Sequence, residues 1–180
     1  MNTLTNPTTN SINWFGLVLF SIIFWLSGSL LIDFVVMPGL FVSGMMSQPD
    51  FGTAGYALFW VFNRIELVCA ALLISGLLIA RRPRTDHEVI ISGIRSRWAV
   101  EIAAGLLAIA LALTYGLSPA MGALGVSLNA LDGGYIIPEG MNQLHMAYWG
   151  LETLKLVGCA MLLKLAWQDL KPLGSISPEI

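Results

Sequence analysis

Charge is what this 180-residue sequence has least of: only 11% of its residues are Asp, Glu, Lys or Arg, while 56% are hydrophobic. A water-soluble domain usually carries about 25% charged residues, so these are too few to cover a water-facing surface. The net charge of −2 is uninformative, and no Lys/Arg run suggests a nucleic-acid partner. The two cysteines, Cys69 and Cys159, sit singly inside apolar runs. That arrangement excludes a disulfide scaffold and a CxxC zinc motif, and leaves them as small buried hydrophobes. There is no glycine-rich phosphate loop, no Ser/His/Asp set and no HExxH, so no enzyme activity is expected. The opening "MNTLTNPTTNSIN" holds no Lys or Arg. A secretory signal needs a basic start and a small-residue cleavage site, so the first apolar run is expected to stay as a membrane helix.

What the sequence does have is long apolar stretches and a mean hydropathy of +0.76. Four segments stand out: Trp14 to about Met37, Tyr56 to Ala80, Trp98 to about Leu117, and Leu144 to Trp167. A helix rising ~1.5 Å per residue needs about 20 apolar residues to cross ~30 Å of hydrocarbon, and each segment is long enough. Backbone groups in lipid must be paired within the segment, which makes these helices and not strands. Trp14, Tyr56, Trp60, Trp98 and Tyr115 lie at or near segment ends, where aromatic rings favour the interface. The expected fold is an all-α membrane protein, a four-transmembrane-helix bundle over residues 14–167, with tails at 1–13 and 168–180.

Topology follows from the basic residues. Arg81, Arg82, Arg84, Arg95 and Arg97 crowd the connection between the second and third segments, and Lys164 and Lys171 close the fourth. The connections 38–55 and 118–143 contain no Lys or Arg. The positive-inside rule then puts the central loop and both termini on the cytoplasmic side. The membrane would be a bacterial cytoplasmic membrane or a thylakoid. Pro38 and Pro119 each remove a helix hydrogen bond, so the first and third helices are expected to run on as kinked or extended outer ends. "LDGGYIIPEG" reads as a turn. An offset of 81 residues maps Pro38 onto Pro119 and Arg64 onto His145, whereas "LVCAALL" recurs as "LVGCAMLL" at an offset of 90. The offsets disagree, and the echo carries no weight at this stage.

The polar residues inside these segments carry the functional reading. Helix direction puts Asp33 near the outer end of the first helix and Asn63, Arg64 and Glu66 in the outer half of the second. His145 falls near the outer surface of the fourth, with Glu152 and Lys155 close to its middle. His145, Glu152 and Cys159 are seven apart and drift only ~20° per step, so they share a face. An Arg or Asp at a helix centre costs about 2.5–3.5 kcal/mol on insertion scales, so such residues face partners or water. Two pairings are expected: Asp33 with Arg64 near the outer face, and Glu66 or Glu152 with Lys155 deeper in. Together Asp33, Asn63, Arg64, Glu66, His145, Glu152 and Lys155 would line an outward-biased ligand or ion cleft. The bland alternative is a set of structural ion pairs holding four helices together, and His145–Glu152 is the pair with least structural need. His87 lies in the basic loop without a transmembrane counterpart, which argues against a bis-histidine haem. Glu101 is expected to reach the interface, and Lys164 to snorkel. Ala104, Ala108 and Ala112, with Ala71 and Ser75, form small-residue ladders that suggest close helix packing.

"FWLSGSLLIDFVVMPGLF", "FNRIELVCAALL" and "LSPAMGALG" followed by "MNQLHMAYWGLETLKL" resemble the first, second, third and fourth helices of the transmembrane protein 205-like family. The resemblance implies a four-helix integral membrane protein and brings no activity with it. Copper-resistance membrane proteins look distantly similar in hydropathy. Eight Met and two Cys suit a soft metal such as Cu(I), but Met is also the usual filler of apolar cores, and the core reading is preferred. Metal and cofactor are left unassigned. The function expected is an uncharacterised polytopic membrane protein binding or passing an ion, proton or soft metal. The alternative is a non-catalytic assembly or interaction subunit of a larger membrane complex. Its partners would be the lipid bilayer, other membrane proteins or further copies in a homo-oligomer.

Overall fold

The structure, a computed structural model, describes residues 14–45, 48, 51–80, 96–129 and 139–170. These form helices α1 (Trp14–Leu31), α2 (Met37–Val42), α3 (Phe51–Ala80), α4 (Arg97–Ala112), α5 (Ser118–Asn129) and α6 (Met141–Leu170). One-turn π-helices at Ile32–Val36 and Leu113–Leu117 join α1 to α2 and α4 to α5. The result is four long rods, Trp14–Val42, Phe51–Ile79, Arg97–Leu124 and Met141–Gln168, each long and apolar enough to cross a membrane. The fold is therefore an all-α four-helix bundle, with no strand among the described residues. The expected tails, the arginines at 81–95 and most of "LDGGYIIPEG" lie outside the described residues.

The expected extensions past the prolines are present, and the distortion has a specific form. The Met37 amide bonds the Ile32 carbonyl and the Ser118 amide bonds the Leu113 carbonyl, each five residues back. A proline ring presses on the carbonyl four residues before it, and widening that turn to π geometry relieves the clash while keeping the chain helical. Asp33 and Thr114 occupy the second position of their respective π-turns.

Each rod packs on two neighbours, α1 on α3 and α6, α4 on α3 and α6, which closes a four-sided ring. Its interior holds Val18, Ile22, Trp25, Leu73, Leu77, Leu106 and Leu162, all at most 2% exposed. Phe20, Phe34, Val68, Trp98 and Leu154 point outward. An apolar exterior is a liability in water and a requirement in lipid. The expected alanine packing is corrected here. Ala104, Ala108, Ala112, Ala71 and Ser75 are exposed, whereas the buried alanines of the second and third rods are Ala70, Ala99, Ala103 and Ala110. A ladder with a spacing of four drifts about 40° per step on a 3.6-residue helix, and its phase relative to the core is not set by spacing.

A small residue is required where α1 meets α3. A Cβ on Gly76 would lie 2.4 Å from Cγ2 of Val18, and Val18 is itself 1% exposed with nowhere to move. Gly76→Ala is expected to destabilise by about 1–3 kcal/mol through overpacking. Gly105, with nothing within 4 Å of its virtual Cβ, should accept alanine at no cost. Unfolding of the two variants in mixed detergent micelles tests the pair.

The two hairpins repeat one another. The buried residues Val18, Ile22, Trp25, Ser29 and Ile32 of the first fall at an offset of 81 on Ala99, Ala103, Leu106, Ala110 and Leu113, also buried. Along the second rods, Asn63, Glu66, Ala70, Leu73 and Leu77 fall at an offset of 89 on Glu152, Lys155, Cys159, Leu162 and Ala166. The connection between the rods is thus eight residues longer in the second hairpin. That extra length is why no single offset fits the whole sequence, and it corrects both the offset of 90 and the pairing of Arg64 with His145. Parallel repeats of this kind are related by an axis along the membrane normal. Near such an axis a residue meets its own counterpart. Phe59 stacks edge-on against Tyr148 at 5.5 Å, and Glu66 bonds Lys155.

Candidate functional site: a buried charged centre

The buried polar side chains of the interior, Ser21 apart, gather in one layer. There α3 contributes Asn63 and Glu66, α6 contributes Glu152 and Lys155, and the π-turn after α1 contributes Asp33; all five are buried. Asn63 and Glu66 are three residues apart, as are Glu152 and Lys155, so each pair shares a helix face. Lys155 is 0% exposed and donates to Glu66 Oε1. The same oxygen also accepts from Trp25 Nε1 at 2.9 Å and Ser29 Oγ at 3.0 Å. Three donors from two helices thus converge on one carboxylate oxygen, while Glu66 Oε2 has none. Lys155 Nζ also lies 2.5 Å from Glu152 Oε1. The two form an ion pair three residues apart on one face of α6. Phe62 completes the ammonium's surroundings, its ring centroid 5.7 Å from Nζ.

On the other side of the layer the groups are neutral. Asn63 Nδ2 donates to Ser118 Oγ at 2.6 Å, and Thr114 Oγ1 donates to the Ala110 carbonyl at 2.7 Å. Asp33 does not meet Arg64. Its carboxyl is buried in the same layer, and its Oδ2 has no donor. Arg64 instead lies 3.4 Å over the Trp60 ring and donates to the Trp60 carbonyl at 3.0 Å. The reason is rotational: Arg64 is two residues from Glu66, about 200° around a 3.6-residue helix, so the two cannot both face the interior. His145 is exposed and bonds the Met141 carbonyl at 2.9 Å. It shares the face of Glu152, but it lies in the first turns of α6, where it is exposed.

No protein-family profile, curated protein or solved structure matches this chain. The site is therefore read from its own geometry. It brings together Asp33, Asn63, Glu66, Glu152 and Lys155 and leaves Arg64 and His145 outside. It is also a closed centre and not an open cleft. A hollow of about 300 Å³ between α1 and α3 reaches it at Glu66, and its other walls, Phe24, Gly28, Leu31, Phe62 and Ile65 among them, are apolar.

Trp25, Ser29, Thr114 and Ser118 were not anticipated. The signal for them is spacing: Trp25, Ser29 and Asp33 are four apart, as are Thr114 and Ser118, so each set lies along one face. Cys69 and Cys159 are free and buried, as expected. Arg97 pairs with Glu101 at 3.1 Å on the exposed face of α4, and Lys164 is exposed.

Proposed function

We propose that this chain is a small polytopic membrane protein whose buried charged centre binds or passes a proton or a small cation, without catalysing a reaction. The supporting observation is a charge imbalance. Asp33, Glu66 and Glu152 bring three carboxyl groups into a dry interior against one ammonium, Lys155. Burying an unpaired charge in a bilayer is costly, and ionisable side chains that face a bundle interior mark ion and proton pathways in many membrane proteins. A structural ion pair needs one carboxylate, and two more are present. Placement of the centre in the half of the bilayer away from the cytoplasm, in a bacterial cytoplasmic or thylakoid membrane, rests on the arginine distribution. Membership of the transmembrane protein 205-like family rests on the quoted stretches alone.

Reconstitution tests the reading. The purified protein is placed in liposomes and challenged in turn with gradients of H⁺, Na⁺, K⁺ and Cu(I). We expect an ion-dependent signal that Glu66→Gln and Glu152→Gln remove while both variants remain inserted. Signals unchanged by both substitutions would sink the proposal. So would a larger complex that co-purifies in mild detergent while every gradient gives no signal, which would mark an assembly subunit.

A further inference from the structure

The repeat shows what is particular about the hollow between α1 and α3. At the offsets of 81 and 89, Gly28, Trp25, Phe62 and Cys69 of its wall correspond to Ile109, Leu106, Leu151 and Gly158. In the second hairpin that place is tightly packed: a Cβ on Gly158 would lie 2.9 Å from Cδ2 of Leu106. In the first hairpin Gly28 carries no side chain into the space, and Phe24, Trp25 and Phe62 supply aromatic walls. The charge is reversed as well, since Glu66 stands where the second hairpin has Lys155.

At about 300 Å³ the hollow has the volume of a small-molecule pocket. Its mouth is on the lipid side of the bundle, because Phe24, Leu31 and Ile65 of its wall are exposed. The surface inside is apolar, so it cannot replace the water shell of a hard cation, which wants about six or more oxygen ligands. The charge behind that surface is nonetheless negative. Asp33, Glu66 and Glu152 are buried together, and Lys155 is the one ammonium among them. Attraction between charges is strong in an interior of low dielectric, and aromatic faces attract cations further. A cation that carries its own apolar coat meets every condition. It enters from lipid, needs no oxygen ligands, and is held by the rings and by the field of the carboxylates.

We propose that the hollow binds a small lipophilic cation, an alkyl- or arylammonium whose nitrogen is shielded by carbon. Its charge lies at the Glu66 wall and its apolar body against the rings of Phe24, Trp25 and Phe62. The proposal rests on the ion-binding reading above and deepens it, adding a class of cation that arrives through the bilayer.

Calorimetric titration of the full chain in lipid nanodiscs with benzyltrimethylammonium, with empty nanodiscs as the blank, tests this directly. We expect saturable binding at a single site. Glu66→Gln should weaken it about tenfold or more, as loss of one partner of a buried charge pair does. Neopentylbenzene has the same shape with carbon in place of the charged nitrogen, and at equal concentration it should leave that binding unchanged. Gly28→Ile installs the residue of the other hairpin and should abolish binding by filling the space. A Cβ at Gly28 would lie 3.3 Å from Cε2 of Phe62, a ring with the hollow to move into. If that variant fails to insert, Leu31→Trp at the exposed rim should block the mouth instead. Binding that is absent, unchanged in Glu66→Gln, or retained in both wall variants would overturn the proposal. So would displacement by neopentylbenzene, which would mark a recess for lipid chains. Absent binding alongside intact ion flux would overturn only the hollow and leave the ion-binding reading standing. Binding that needs Glu66, with no flux under any gradient, would uphold the hollow and count against conduction.

Discussion

Lys155→Met is expected to destabilise the bundle by about 3–5 kcal/mol, the usual cost of removing one partner of a buried ion pair. The side chain is 0% exposed and is the cation that serves both Glu66 and Glu152. Methionine of similar length fills the space, so the loss is electrostatic and not a cavity. What remains is three carboxyl groups in one layer with no ammonium among them, and they can lower that cost only by taking up protons. The loss should therefore shrink as pH falls. Equilibrium unfolding in mixed micelles at two pH values measures both the size and its direction. A loss under about 1 kcal/mol at every pH, the range of a solvent-exposed pair, would mean that the ammonium is solvated.

Trp25→Ala should cost a comparable amount for a different reason. Trp25 is 2% exposed and is among the largest fully buried side chains. Truncating a buried Trp or Phe to alanine typically costs about 3–5 kcal/mol in lost packing and an unfilled cavity. The indole also donates to Glu66 Oε1, so Trp25→Phe separates the contributions. Phenylalanine restores most of the volume and omits the donor, and should cost about 1–3 kcal/mol, the range for stranding a buried hydrogen-bond partner. Equal losses for alanine and phenylalanine would show that the hydrogen bond dominates. A neutral phenylalanine would show that it contributes nothing.

How much of this was legible in the sequence depends on which physical quantity each residue reports. Rod length and apolarity are one-dimensional, so the four spans could be read from Trp14 to Trp167 with bounds a few residues short. Pro38 and Pro119 announced a distortion. Its π form depends on how the turn relieves the ring clash, and no residue type encodes that. Depth along a helix axis was partly readable: it put Glu66 in the outer half of the second span and Glu152 and Lys155 near the middle of the fourth, close enough to expect the Lys155 ion pair that is present. Rotation about the axis was not weighed in pairing Asp33 with Arg64. The 200° between Arg64 and Glu66 was available from their numbering and excludes both from one interior. His145 failed for a third reason. It has the right face, but burial at the end of α6 depends on how far neighbouring helices extend. The repeat was obscured by eight extra residues in one connection: the offsets of 81 and 90 looked like a disagreement, and the matching of buried positions shows that two are needed, 81 for the first rods and 89 for the second.

The central claim is that Glu66 and Lys155 meet in an interior closed to water and lipid, across the axis relating the two hairpins. A double-mutant cycle tests it most directly, with unfolding free energies measured for wild type, Glu66→Met, Lys155→Met and the double variant. Replacing both partners of a buried pair by apolar residues is often neutral, whereas removing one is not. The double variant should therefore be more stable than Lys155→Met alone, with a coupling of roughly 2 kcal/mol or more, inside the range for residues in direct contact. Additive losses, with the double variant the least stable of the four, would contradict a shared interior for the two side chains.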